Sequence, residues 1–246
     1  MRIQPTRLLL IDVSNSFTKI AFTHKDSQVR DVERIATKDL CEATLRSIIG
    51  SRSYSMCVFC SVVPSKNHEI RCFSRNTRII QVDADANLGV TIDLPDPGGV
   101  GADRLVNAAY AAGVCDLPAV IVDIGTAATF DVILPERRFV GGVIAPGPEL
   151  MSSYLRERTA LLPYFELREP DRAIGKSTEE SLLAGAVYGY RGMVQGILGR
   201  IQAEICKGDP VQIIGTGGGV GIVRESFMKV VPNLTLEGLR LVGQRS

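Results

Sequence analysis

The 246-residue chain carries 28 basic and 27 acidic residues, a net charge of +1, without a basic block, so no electrostatic footprint for nucleic acid or a membrane surface is present. At about 100–200 residues per domain the length allows one large domain or two small ones. The longest uncharged stretch, Pro210 to Val223, is glycine-rich and shorter than the ~18 residues of a membrane span, and only Leu8 to Ile11 precede Asp12 as an aliphatic run. A soluble, cytoplasmic protein with no membrane and no nucleic-acid partner is expected.

In chain order, residues 7–13 and 17–23 read as a hairpin, 28–36 as a third strand, and 39–49 as a helix with Leu40, Ala43, Thr44 and Ile48 on one face. A buried strand at 54–63 ends at Pro64, a short helix runs through Cys72, and another strand covers Arg78 to Val82. Pro95, Pro97, Gly98, Gly99 and Gly101 make 87–101 a loop, which opens a helix from Ala102 to Ala112. After Leu117-Pro118 the order begins again: strands near 119–124, 128–134 and 138–145, helices, a strand at 211–215, another helix and a last strand. The long helix predicted from Thr178 to about Cys206 has Leu182, Ala186, Tyr190, Met193, Ile197 and Ile201 along one stripe. Gly185, Gly189, Gly192, Gly196 and Gly199 interrupt it. Each costs up to about 1 kcal/mol relative to alanine, so their number predicts close packing against another element or subunit.

Val120 to Val132 and Leu9 to Ile20 are each an apolar run ending in an aspartate, then a turn, then a second run. Laying Asp12 on Asp123 puts Ser14 on Gly125, Ser16 on Ala127 and Thr18 on Thr129. The repeat predicts a duplicated fold, with one domain at 1–117 and another at 118–246. Tips rich in hydroxyls and backbone N–H groups suit phosphate, with an aspartate to hold a cation or a water. Asp12, Asn15, Ser16, Thr18 and Lys19 form one candidate cradle, and Asp123, Gly125, Thr126 and Thr129 its mirror. Two ordinary polar turns are the alternative.

Other stretches carry weaker signals. In Gly98 to Arg104, Asp103 suits a general base and Arg104 a fork for carboxylate or phosphate, but read alone this stretch is better explained as an acidic first helical turn. Gly175-Lys176-Ser177-Thr178 resembles the end of a Walker A loop, but Pro170 stands where its first glycine belongs, and Ser177 with Glu180 makes a capping box. Gly215-Thr216-Gly217-Gly218-Gly219 after an apolar strand would let backbone approach a nucleotide. Cys57, Cys60, His68 and Cys72 have zinc-like spacings, yet residues three apart on a strand point to opposite faces, so buried thiols are expected instead.

Together these stretches resemble the type III pantothenate kinase family, within the acetate and sugar kinase, Hsp70 and actin superfamily. The matching motifs run nearly end to end: Asp12 to Lys19, Ser61 to Pro64, Gly101 to Arg104, Asp123 to Asp131, Gly141 to Gly147, and Leu236 to Leu239. The resemblance implies an α/β protein of two duplicated ribonuclease H-like (actin-like ATPase) domains, each a mixed five-stranded sheet with helices. It implies ATP-dependent phosphorylation of pantothenate to 4′-phosphopantothenate, the first step of coenzyme A biosynthesis, and a homodimer with the pantothenate pocket near the subunit interface. Asp12, Val13, Ser14, Asn15, Ser16, Phe17, Thr18 and Lys19 would form the ATP phosphate loop, and Thr126 would also contact ATP. Asp103 would accept the proton of the pantothenate hydroxyl. Gly101, Ala102, Asp103 and Arg104 would line the substrate pocket with Thr178, and Asp123 would bind a monovalent cation, K⁺ or NH₄⁺. Mg²⁺ would sit on the phosphates. Ser14 stands where the family has glycine, and a left-handed backbone there would cost serine about 1–2 kcal/mol. Leu94 stands where the family has tyrosine. On those two residues a regulatory protein on the same fold is the alternative, and a kinase for another small hydroxy acid is a third reading.

Overall fold

The computed structural model describes residues 7–205, 208 and 210–246. They form two compact units: one of residues up to Asp116 with Pro135–Gly141 and Asn233–Ser246, the other of Leu117–Leu134 and Gly142–Pro232.

In the first unit a five-stranded sheet has the order β3-β2-β1-β4-β5. Its strands are β1 (Arg7–Val13), β2 (Phe17–His24), β3 (Glu33–Ala36), β4 (Met56–Ser61) and β5 (Arg78–Gln81). β2 runs antiparallel to both β1 and β3, whereas β4 is parallel to β1 and β5 is parallel to β4. β1 is buried beyond its first residue, as a central strand covered on both faces must be. The alternation of a strand sorts its residues into two cores. Leu8, Leu10, Val58 and Cys60 pack with Leu105, Val106 and Ala109 of α3 (Ala102–Val114) and with Leu236, Leu239 and Val242 of α6 (Leu234–Arg245). Leu9, Ile11, Val13, Cys57 and Phe59 pack instead with Leu45 and Ile49 of α1 (Glu42–Ile49) and Ile70 of α2 (Asn67–Phe73). Cys57 and Cys60 therefore face opposite cores.

The second unit repeats the plan. β7 (Ala119–Ile124) is antiparallel to β8 (Ala127–Leu134) and parallel to β10 (Gln212–Thr216), which is parallel to β11 (Lys229–Val230). With β9 (Arg138–Pro146) beside β8, the order β9-β8-β7-β10-β11 matches that of the first sheet. A sixth strand, β6 (Thr91–Ile92), joins this sheet where five were expected, by pairing with Arg138 and Phe139, which belong to the same unit as β6 itself. α4 (Glu149–Arg158) and the 28-residue α5 (Thr178–Ile205) complete the unit. The expected end of that helix at Cys206 lies outside the described residues.

The structure departs from three sequence expectations. The third strand is four residues long, because backbone pairing with β2 covers only Glu33 to Ala36. The buried residues of α5 are Leu183, Ala184, Ala186, Val187, Tyr190, Val194, Leu198 and Ile201, so Ala186, Tyr190 and Ile201 of the predicted stripe are buried while Leu182, Met193 and Ile197 flank the buried face, which is turned slightly from the predicted one. The last element is a helix, α6, and not a strand. It is drawn into the first unit by Gly238, where a Cβ would lie 2.5 Å from the Val106 carbonyl oxygen of α3, and by a buried hydrogen bond from Thr235 Oγ1 to Asn107 Oδ1 at 3.1 Å. Glu237 also accepts the Val29 N–H at 2.6 Å.

Gly238→Ala should destabilise the protein. Overpacking against a backbone carbonyl costs about 1–3 kcal/mol, offset in part by the ~1 kcal/mol helix preference of alanine. Urea unfolding followed by circular dichroism should show a lowered midpoint with an unchanged slope.

Candidate active site

β1 delivers Asp12 to the end of the first sheet with 3% of its surface exposed. Burying a carboxylate is costly unless it is answered by charge and hydrogen bonds. Register supplies both: Lys19 of β2 and Cys60 of β4 are its direct cross-strand partners and so share its face. Lys19 Nζ lies 4.0 Å from Asp12 Oδ2, while Ser14 Oγ (3.2 Å) and Cys60 Sγ (3.7 Å) donate to Oδ1. Burial, reinforced by Asp12 and Asp103, pushes the Cys60 thiol well up, which keeps it a neutral donor.

The tip between β1 and β2 closes through Ser14 N–H to the Phe17 carbonyl at 3.2 Å, leaving Asn15, Ser16 and Phe17 exposed. Val13 and Thr18 are buried behind it. Thr37, after β3, braces the tip: its N–H donates to the Ser16 carbonyl (3.0 Å), its hydroxyl to the Ser14 carbonyl (2.7 Å), and Thr18 Oγ1 lies 3.1 Å from its Oγ1. Thr37 did not stand out in the sequence and Cys60 was expected only to be a buried thiol; the register of β4 and the bonds of Thr37 bring them to this site.

The left-handed backbone considered for Ser14 is absent. Asp31, Glu136 and Arg137 are the described non-glycine residues with positive φ, and Gly125, at the matching tip, is not among the positive-φ glycines either. A Cβ on Gly125 would meet nothing nearer than the Ala127 carbonyl oxygen at 3.7 Å. Serine at position 14 thus carries no left-handed backbone strain. Leu94, half-buried, packs against Gly141, whose Cβ would come within 3.2 Å of Leu94 Cδ2.

Still in the first unit, Gly101 caps α3 and makes room for Asp103: a Cβ there would stand 2.7 Å from Asp103 Oδ1. That oxygen accepts the Arg104 N–H at 2.8 Å, the interaction an acidic first turn makes with a helix N-terminus. Burial outweighs this bond and the Arg104 charge, and the Asp103 pKa is raised. The Arg104 guanidinium carbon lies 5.7 Å from the Phe139 ring centroid.

In the second unit, Asp123 ends β7 half-buried beside Thr129 of β8 and Thr216 of β10. Its hairpin turns one residue sooner than the first: Gly125 N–H donates to the Ala127 carbonyl at 2.9 Å, and Asp123 faces Thr129 where Asp12 faces Lys19. The expected match of Thr18 with Thr129 therefore slips by one residue, and Lys19 holds the equivalent place. Gly217, at φ +92°, folds the chain over this end of β7, with a Cβ position 2.5 Å from Asp123 Oδ1, and Gly219 N–H donates to the Ile124 carbonyl at 2.9 Å. Gly147 N–H donates to the Thr126 carbonyl at 3.0 Å. A Cβ on Gly147 would collide with the Gly125 and Thr126 carbonyl oxygens. Beside this loop a cleft of about 580 Å³ is lined by Pro148, Glu149, Tyr164, Arg168, Gly218 and Gly219. Thr178, the first residue of α5, is exposed, and Ser177 Oγ accepts the Glu180 N–H at 3.1 Å while the Glu180 carboxylate accepts the Lys176 N–H at 2.7 Å, a capping arrangement.

A sequence model described as type III pantothenate kinase matches residues 8–200. A type III pantothenate kinase of Methylacidiphilum infernorum is 40% identical over 242 residues, covering 96% of this chain and 88% of the relative. Among solved structures, a Baf family transcriptional activator from Campylobacter jejuni superposes with TM-score 0.64 at 15% identity, over 96% of this chain and 98% of the other. A polyphosphate/ATP-glucomannokinase from Arthrobacter superposes with TM-score 0.51 at 12% identity, over 98% and 100%. These two likenesses are of fold alone. On sequence, the chain belongs to the type III pantothenate kinase family, enzymes that phosphorylate pantothenate with ATP for coenzyme A biosynthesis.

Proposed function

We propose that this transfer is carried by Asp103 as general base. The pantothenate hydroxyl oxygen bonds to the γ-phosphorus, the bond from that phosphorus to the bridging oxygen breaks, and ADP leaves with the electron pair. The hydroxyl proton passes to Asp103. The observation that carries this reading is a carboxylate placed at a helix start by Gly101, whose charged form burial disfavours and which is therefore disposed to take a proton. Ala102 and Arg104 lie beside it, and with Gly101 and Thr178 they are assigned to the pantothenate pocket.

Asp12 to Lys19 are assigned to the ATP phosphates. The exposed Asn15, Ser16 and Phe17 offer the tip, Ser14 and Lys19 border it, and Val13 and Thr18 hold its shape from behind. Mg²⁺ on the phosphates supplies charge neutralisation when bound, and the residue to hold it is Asp12; Mg²⁺ commonly takes one or two carboxylates and fills its other positions with phosphate and water. Thr126 is assigned a contact with ATP. Asp123 is assigned a monovalent cation, K⁺ or NH₄⁺: its cross-strand partners are neutral threonines, and the carbonyl oxygens of Ile124, Gly125 and Thr126 are hard donors on the same tip.

We further read the protein as a cytoplasmic homodimer; no helix of the described residues is long and apolar enough to cross a membrane. Among the described residues nothing approaches the five glycines of α5: a Cβ on any of them meets no atom of another element within 4 Å, and all are exposed. Their alternating spacing of four and three draws a straight open seam for a second copy. The division at 117/118 is retained as the boundary between the duplicated halves.

Phosphate transfer from ATP to pantothenate, with Mg²⁺ and K⁺ or NH₄⁺ present, is the direct test; no transfer by the pure protein would overturn the assignment. Asp103→Asn should lower turnover about 100- to 10,000-fold. Its melting temperature at neutral pH should hold or rise, because burial disfavours the charge that is removed. A raised carboxylate pKa means the base is lost as pH falls through that value, so the acid limb of kcat/KM should lie above the ~3.9 of free aspartate. That limb should vanish in the residual activity of the variant. Gly192→Leu should convert dimer to monomer in light scattering, and a monomeric wild type would remove the dimer reading.

A further inference from the structure

The row that begins at Cys60 does not stop at Lys19. Register continues it to β3, where Arg34 stands directly opposite Lys19, so Cys60, Asp12, Lys19 and Arg34 cross four adjacent strands on one face of the sheet. Exposure grows along the row, from 0% at Cys60 and 3% at Asp12 to 29% for the Lys19 side chain and an exposed Arg34. Its charges are one negative and two positive. Lys19 has Asp12 for a neighbour, whereas among the described residues Arg34 makes no ion pair. Like charges directly opposite on neighbouring strands repel, so this pair of cations is left one anion short.

Arg34 is nonetheless held in place. Its guanidinium carbon lies 3.5 Å from the centroid of the Phe17 ring. Phe17 is the first residue of β2, at the tip of the phosphate loop, and is 41% exposed. A guanidinium stacked on a ring keeps its N–H edge free to donate in plane, the geometry that grips phosphate oxygens. The stack also gives an exposed aromatic at the loop tip a purpose that packing within the unit does not.

We propose that Arg34, oriented by Phe17, is a further polyphosphate-binding residue of this site and with Lys19 forms a cationic pair for the terminal phosphates of the nucleotide. The inference rests on the kinase reading of the same loop. It gives Phe17 a positioning role through its side chain, distinct from any main-chain contact of the loop.

Calorimetric titration with ATP and with inorganic tripolyphosphate tests it, alongside KM values for both substrates. Arg34→Ala should weaken both polyanions by about tenfold, the loss expected for one hydrogen bond to a charged group. Arg34→Lys should recover part of that loss. Phe17→Leu, which keeps an apolar side chain but no ring, should weaken them less than Arg34→Ala, and KM for pantothenate should not follow. Unaltered polyanion binding by Arg34→Ala overturns the proposal, as does an equal rise in both KM values with a lower melting temperature. If the wild type binds tripolyphosphate through Arg34 yet transfers nothing to pantothenate, this inference stands and the assignment of the reaction falls. If the wild type binds neither polyanion, both fall.

Discussion

A carboxylate buried at the end of a central strand has to be answered from within the protein, and at Asp12 that requirement fixes its surroundings. The strand must be central to be buried, so it has a neighbour on each side, and each neighbour is obliged to contribute: an ammonium from β2, a thiol from β4. The thiol is the less obvious choice. A second cation would leave excess positive charge deep in the sheet, and an apolar side chain would remove one of the donors to Oδ1. A cysteine that burial keeps protonated donates without adding charge. The register of the hairpin is thereby fixed as well, since a slip of one residue would turn Lys19 to the opposite face.

The two hairpins share a plan and differ in what answers the aspartate. Asp12 meets Lys19, and beyond it Arg34; Asp123 meets Thr129 and Thr216, with backbone carbonyls close by. Counting charge across each row, the first is net positive and the second net negative. An anion suits one tip and a cation the other. The separation follows from a single additional residue in the first tip, which shifts β2 so that lysine takes the position threonine holds in β8.

Much of this was legible in the sequence, because alternating apolar residues and acid-tipped turns are local signals. Both hairpins, most of the order of strands and helices, and the start of α3 at Ala102 emerge from patterns of a few residues. What failed to emerge depends on contacts distant in sequence. The slip between Thr18 and Thr129 cannot be seen without the pairing of β1 with β2. The phase of α5 was misjudged because apolar residues occur around most of its circumference, so what it packs against decides which are buried. α6 carries Leu236, Leu239 and Val242 at helical spacing, but its membership in the first unit depends on Gly238 meeting α3 across more than a hundred residues. The condition set for strain at Ser14 is one the sequence could not decide: a residue type that differs from glycine implies strain only where the chain needs positive φ, and this tip does not.

Glycine shows why geometry has to arbitrate. Gly147 and Gly238 are required because another segment's carbonyl occupies the space of a side chain, and Gly217 because the chain must also turn through positive φ to fold over Asp123. The glycines of α5 meet none of these conditions: their φ is helical and the space around them is empty. Inside the single chain they are a pure cost of up to about 1 kcal/mol each relative to alanine. Five such costs on one face, at the spacing of a packing seam, find no packing partner among the described residues. The homodimer proposed for this protein would supply a partner surface, a second α5 brought close by the absence of side chains on both.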